Sequence, residues 1–553
     1  MTRDKIRFLN SARISSTLKT ISLYGLAFLP VIWVLSLKYF LPQLLDNEAG
    51  KLVSTRQVFE PSFLSRDWAV ARGSGDSVFD LPFALLIAPL WLCLRNCIFV
   101  ALAARLLCWT FLLAALVKLS RTLTIEWYAL SCTLFVWICN DQSLGAAEWI
   151  FRGAEAKCLA YALFFLAIDA TLRSRLWVAG ACCGLAIWCH FLVGAWGSVA
   201  LVGALLLRYR DYGGRRIAQL TALVVGACAP VAVIAVGYAT QGTSAQRHAA
   251  NRMAVSFSDP FHLDPSCFGG WQEFVVASVL AVIAAWVFFK VAAPPHARLM
   301  SSFLAMLILI FLAGLLAWQT NQFWFLKSFP FRVPDVLVFL FFMLALPCFV
   351  GRLIAKLAKQ LGADCWMCGL RASSWHSAFR LAFFFCLLFI VFAGVLRDVH
   401  GVLQYDLPVF ASRWQQYLDG RKSSWQQMTE YIRDHTPQSA IIMAPPWEFS
   451  FWLDAERAQV VNFKRPPHNV RLLEWHRRLT AMNGGPFRSR GFQALEEIKS
   501  NYSNLSPAQI EAIRNMYGAD YYLTTRQRSD LRGDLIHVCG SYYLYRLSKP
   551  EEP

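Results

Sequence analysis

The chain has 553 residues, 57% of them hydrophobic and only 16% charged, against about half and a quarter in soluble globular proteins. That balance excludes an ordinary soluble enzyme, and 42 Phe, 21 Trp and 17 Tyr exclude a disordered chain as well. Of the net charge of +18, +15 lies in the first 400 residues, where it reads as the basic bias of cytoplasmic loops and not as a nucleic-acid footprint.

In chain order, apolar segments near the roughly 20 residues that cross a bilayer predict eleven spans. They are Thr20–Leu41, Cys97–Val117, Thr124–Cys139, Cys158–Leu172, Leu176–His190, Leu192–Leu207, Ile217–Tyr238, Trp271–Phe289, Leu299–Trp318, Val333–Val350 and Leu381–Leu396. The basic N-terminus (Arg3, Lys5, Arg7, Arg13, Lys19), without a small-residue cleavage site, predicts an uncleaved signal anchor with its start in the cytoplasm. That orientation puts Lys118 and Arg121, Arg173 and Arg175, Arg208 to Arg216, Lys290 with Arg298, and the loop from Arg352 to Arg380 on the cytoplasmic side. The Pro-interrupted stretch Leu81–Leu94 is read as an interfacial or re-entrant helix, since counting it as a span would invert every later loop. Residues 1–400 thus form a transmembrane domain with a first external loop at 42–96, in a bacterial inner membrane.

Residues 401–553 then form a periplasmic or extracellular domain. Short apolar runs at Ala440–Ala444, Gln459–Phe463, Tyr521–Thr524, Leu535–Val538 and Tyr542–Leu547 alternate with helical patterns at Trp425–Asp434, Val470–Leu479, Phe492–Lys499 and Pro507–Tyr517. A small α/β domain follows. Most of the 16 cysteines sit in apolar runs as small hydrophobes, so no disulfide framework is implied. Cys365 and Cys368 with His376 lack the spacing and fourth ligand of a zinc finger.

Charged groups placed at the external membrane surface are the candidates for chemistry. The first external loop carries Asp46, Glu48, Arg56, Arg66 and Asp67. Glycosyl transfer from a lipid phosphate needs a carboxylate to accept the hydroxyl proton and cations to hold the leaving phosphate, and this loop supplies both. Glu48, Asp46 and Asp67 are the candidate catalytic carboxylates; Arg56 and Arg66 are candidate substrate contacts. The runs Asp46-Asn47-Glu48, Thr55-Arg56-Gln57 and Phe63-Leu64-Ser65-Arg66-Asp67-Trp68 resemble the first external loop of the C-type (GT-C) glycosyltransferases, notably their aminoarabinose and protein-mannosyl branches. Those branches begin the loop with an Asp-Glu pair; here Asn47 stands in the first position, so the resemblance gives the base to Glu48 or to Asp46.

A second resemblance rests on Gly153-Ala154-Glu155-Ala156-Lys157, on Trp188 to Gly194 around His190, on Pro445-Pro446 and on Glu474-Trp475-His476-Arg477-Arg478. It is to a sparsely characterised group of bacterial GT-C-like proteins that end in a small extracytoplasmic domain. What the two imply is an inverting, polyprenyl-phosphate-dependent glycosyltransferase acting on an extracytoplasmic glycan, lipid or protein in contact with membrane lipid. In such enzymes a second acidic residue, here Glu148 or Glu155, supports the base or a divalent metal such as Mg²⁺ or Mn²⁺. Arg152 and Lys157 are expected on the same external side of the third and fourth spans, and His190 at an external membrane boundary beside Gly194. Further along, Arg247 and Arg252, then Lys327 and Arg332, stand among aromatic residues, as a prenyl-phosphate head requires. A phosphate-binding Gly loop, a dinucleotide fingerprint and GxSxG are all absent from the sequence. A transporter of lipid-linked glycans and a non-catalytic envelope scaffold are the alternative readings.

Overall fold

The computed structural model describes residues 28–45, 47–71, 76–140, 142–268, 276, 279–280, 282–287, 294–345 and 396–547. The first part is a helical bundle: α1 (Phe28–Tyr39), α2 (Glu48–Arg56), α3 (Asp76–Leu94), α4 (Cys97–Thr122), α5 (Trp127–Cys139), α6 (Ala156–Leu172), α7 (Leu176–Cys189), α8 (Phe191–Leu206), α9 (Gly214–Ala239), α10 (Ser244–Met253), α11 (Pro294–Gln319) and α12 (332–345). Three of these, α4, α9 and α11, are long and apolar enough to cross a membrane, and α1, α5, α7 and α8 are shorter apolar helices. The chain is a multi-pass membrane protein. The span expected at Leu381–Leu396 and the Cys365/Cys368 pair fall almost wholly outside the described residues.

Burial separates the helices by role. Nearly every side chain of α6 is buried, because α4 and α7 pack on it and α8 and α11 close beside it. By contrast α9 turns Val225, Val233 and Val236 outward, with more than half of each exposed, as lipid-facing residues would be. The stretch read as a 14-residue interfacial segment belongs to the 19-residue α3, which carries Pro82 and Pro89 and buries Phe83 and Ile87 under α2. The stretch after α9 contains α10, started by a reciprocal cap in which Thr243 and Gln246 satisfy each other's backbone N–H groups.

The second part holds a five-stranded sheet in the order β2-β1-β3-β5-β4, from β1 (Ile441–Met443), β2 (Ala458–Gln459), β3 (Tyr521–Thr524), β4 (Gly533–Cys539) and β5 (Tyr542–Leu547). β1 pairs in parallel with β2 and β3, while β5 is antiparallel to β3 and β4. Parallel pairing demands crossover connections. Between β2 and β3 these are α15 (Leu472–Met482), α16 (Phe492–Tyr502) and α17 (Pro507–Tyr517); α13 (Leu407–Leu418) and α14 (Ser424–His435) precede the sheet. α14 and α17 each start with a Ser–Gln reciprocal cap, and Gly518 ends α17 at φ +68°.

Candidate active site

The first loop is built around a carboxylate that the bundle has already claimed. Glu48, 1% exposed, accepts from Arg105 Nε at 2.7 Å and Nη2 at 2.6 Å, from Leu45 N at 2.7 Å and from Ala154 N at 2.6 Å. Those four donors fill the lone-pair directions of a carboxylate. Arg105, buried in the middle of α4, spends its other N–H groups on the carbonyls of Tyr39, Leu41 and Gln43. Glu48 therefore joins α2, α4 and the loop before α6, a role different from the proton acceptor expected of it. Gly153 permits the approach, because a Cβ there would stand 3.0 Å from Glu48 Oε1. Asp46, the other carboxylate of the pair, lies outside the described residues.

Asp67 is likewise saturated, but it reaches the other domain. Its Oδ1 accepts from Ala69 N and Val70 N, and its Oδ2 from Trp452 Nε1 at 2.8 Å and Gln459 N at 3.0 Å. Burial raises its carboxyl above the usual range. Arg56 pairs with Glu60 and with Glu456 of the sheet domain, and Arg66 donates to Ser439 O at 2.7 Å. Three residues expected to serve catalysis or substrate thus fasten the first loop to the C-terminal domain.

The loop 142–155 positions the second group of candidates. Gln142 binds the backbone of Ile150 and Phe151, and Asp335 of α12 accepts from the backbone N–H of Leu144, Gly145 and Ala146 at 2.9–3.2 Å. So held, the loop keeps Gln142 and Ala147 at positive φ, +64° and +54°. Such strain persists only where the surroundings over-determine it, and it clusters at functional sites. Glu148, fully buried, lies 3.3 Å from Lys157 Nζ and is bonded by Arg332. Lys157 also stands 3.8 Å from Glu155 and 3.5 Å from the centre of the Trp149 ring. Glu155 is itself buried, so Lys157 stands between two buried carboxylates.

A matching arrangement, missed in the sequence, stands near it. Asp80 of α3 is bonded by Lys51 of α2 and by Arg465 of the sheet domain, and Ser54 completes the group. A Cβ at Gly50 would come within 2.6 Å of the Arg465 guanidinium, so glycine is needed for that entry. His190, between α7 and α8, lies in the fields of both groups: Arg332, Lys51, Lys157 and Asp80 all act on it, and its Nδ1 accepts from Val193 N. His262 closes the far side. Its ring lies 2.5 Å from Ala146 O, which makes Nδ1 the protonated nitrogen, and burial, with Arg332 and Lys157 adding repulsion, holds the imidazole neutral well below its usual pKa.

The other expected contacts are elsewhere. Arg152 lies beside Trp149, at the edge of the Lys157 group. Arg247 donates to the carbonyls of Thr240 and Gly242 at the end of α9, Lys327 donates to Asn251, and Arg252 is exposed. As for a divalent metal, among the described residues no three His, Cys, Asp or Glu side chains converge, and Glu148 is neutralised by cations.

Two buried charge groups and a sheet domain docked on the helical bundle define a multi-pass protein with a built polar site. Residues 423–482 match the description of a domain of unknown function, DUF6798, which covers α14, β1, β2 and α15. Among curated proteins none matches the chain. In structure it is similar to the archaeal oligosaccharyltransferase AglB from Archaeoglobus fulgidus in complex with an inhibitory peptide and a dolichol-phosphate, with TM-score 0.47, 12% identity and 91% of this chain against 69% of the other covered. The apo oligosaccharyltransferase of that organism gives TM-score 0.48 and 11% identity over the same shares. Scores of this size leave activity and site unassigned.

Proposed function

We propose that the protein is a membrane glycosyltransferase that moves a sugar from a polyprenyl-phosphate donor to a hydroxyl of an extracytoplasmic acceptor. The observation that supports this reading most is the pair of buried charge groups, in each of which one carboxylate serves two cations: Asp80 with Lys51 and Arg465, and Glu148 with Lys157 and Arg332. A phosphate seated near His190 would meet cations already oriented by these carboxylates, the preorganised arrangement that stabilises charge developing on a leaving group. The acceptor oxygen forms its bond to the anomeric carbon, the bond to phosphate breaks, and phosphate departs with the electron pair. The acceptor proton goes to Asp46, because Glu48 and Asp67 are each filled by four N–H donors, and Glu155 supports the site beside Lys157. In this reading the sheet domain faces the periplasm or cell exterior and contributes Arg465.

The test is transfer of a radiolabelled sugar from a panel of polyprenyl-phosphate sugars by the purified chain. Asp46→Asn is expected to lower the rate at least about 100-fold with donor binding retained. Lys157→Met is expected to weaken donor binding. Normal transfer by Asp46→Asn would remove the base, and absence of transfer from every donor, with lipid-linked glycan moved across liposomes, would favour a transporter.

A further inference from the structure

At the end of α8 and the start of α9 the bundle carries an apolar groove of about 500 Å³, lined by Val202 and Leu206 of α8, Tyr209 of the connection, and Ala218, Ala222 and Val225 of α9. It lies at the opposite end of these helices from the polar site: α8 starts beside His190 and runs away from it, and α9 returns to place Gln241 against Asn469 of the sheet domain. Leu206, Tyr209 and Val225 are each more than half exposed, so the groove opens to the lipid side. From Gly214 to Val225 α9 rises about 16 Å, the thickness of one leaflet of a hydrocarbon core about 30 Å deep.

The mouth of the groove is strongly basic. Arg210, Arg215 and Arg216 are exposed on the connection and the first turn of α9, and among the described residues Arg215 and Arg216 have no carboxylate partner. The one acidic residue there, Asp211, is 3.6 Å from Arg298 and so already occupied. Arg210 keeps its Nε on the Tyr209 hydroxyl, which ties a cation to the groove wall. We infer that this groove is a binding site for an anionic phospholipid, whose acyl chain lies along α8 and α9 and whose phosphate is held by Arg210, Arg215 and Arg216. The charge decides the occupant: a zwitterionic lipid would bring a second cation into a surface that already has a surplus, whereas an anionic headgroup neutralises it. Each arginine near a headgroup is worth about fivefold in affinity.

This site is independent of the transfer reaction and is tested without it. The purified full chain in detergent is titrated with phosphatidylglycerol and with phosphatidylcholine of the same acyl composition, and bound lipid is counted by native mass spectrometry. Wild type is expected to retain phosphatidylglycerol at least tenfold better, R210Q/R215Q/R216Q to lose that preference, and Ala222→Trp, which fills the groove and leaves the arginines, to lose the lipid. Equal retention of the two lipids by wild type, a measurement that needs no variant, would reduce the groove to part of the ordinary lipid belt. Unchanged preference in the triple variant, or unchanged binding in Ala222→Trp, would equally overturn the assignment.

Discussion

Arg105 and Glu48 show how a single pair orders the loop between α1 and α3. Both are buried, and the pair ties α4, α2 and the start of α6 together. Removing one partner of such a pair leaves a buried charge unmatched and costs about 3–5 kcal/mol. Arg105→Met and Glu48→Gln are therefore expected to lower the thermal midpoint of the full chain sharply in a detergent melting assay. Gly153→Ala pushes on the same carboxylate, since its Cβ would press against Glu48 at 3.0 Å; a milder loss of about 1–3 kcal/mol should appear in that assay. The charged character of this loop was legible in the sequence; Arg105 was not singled out, although an arginine inside an apolar helix is costly and points to a buried partner. Which carboxylate met which cation was not legible. Asp80, Lys51 and Arg465 are 29 and 385 positions apart in pairs, and no local pattern encodes such pairing.

At the level of elements, the sheet domain follows its sequence closely. Tyr521–Thr524, Tyr542–Leu547 and Pro507–Tyr517 form as strands and helix over the residues expected, because short apolar runs and capping signals are local, whereas the strand expected at Gln459–Phe463 is confined to Ala458–Gln459. α10 was also signalled by Thr243 and Gln246 but was hidden by its polar surroundings. Beside β1, Glu448 is held at a pKa of about 7 by burial, with the Asp454 carboxylate adding to the effect. Its ordinary value is 4.5, so the fold favours the protonated form. The stabilisation is complete below about pH 4.5 and is lost as pH rises through about 7, amounting to about 2 kcal/mol after solvent screening. Hydrogen exchange in β1 and the following turn of the full chain, corrected for intrinsic rates, should be faster at pH 8 than at pH 5. Glu448→Gln should remove most of that difference.

Over the whole molecule, the two parts meet through polar fasteners: Asp67 on Trp452 and Gln459, Arg56 on Glu456, Arg465 on Asp80, and Arg490 on Asp264 at 2.8 Å. Truncating a partner that is hydrogen-bonded and buried leaves the other side unpaired at about 1–3 kcal/mol. Asp67→Ala is therefore expected to raise hydrogen exchange in 452–459 and in the first loop together, while α7 and α8 keep their protection. An effect confined to one side of the contact would show that Asp67 does not couple the two parts.

The Asp67 fastener also dictates an order of manufacture. It joins positions 392 residues apart, so a ribosome delivers the first loop long before the strand that completes it. During that interval Asp67 keeps only its local donors, Ala69 N and Val70 N, and the first loop is not completed until Trp452 and Gln459 are in place. A chain stopped before Gln459 is therefore expected to expose its first loop to a protease that spares the finished protein.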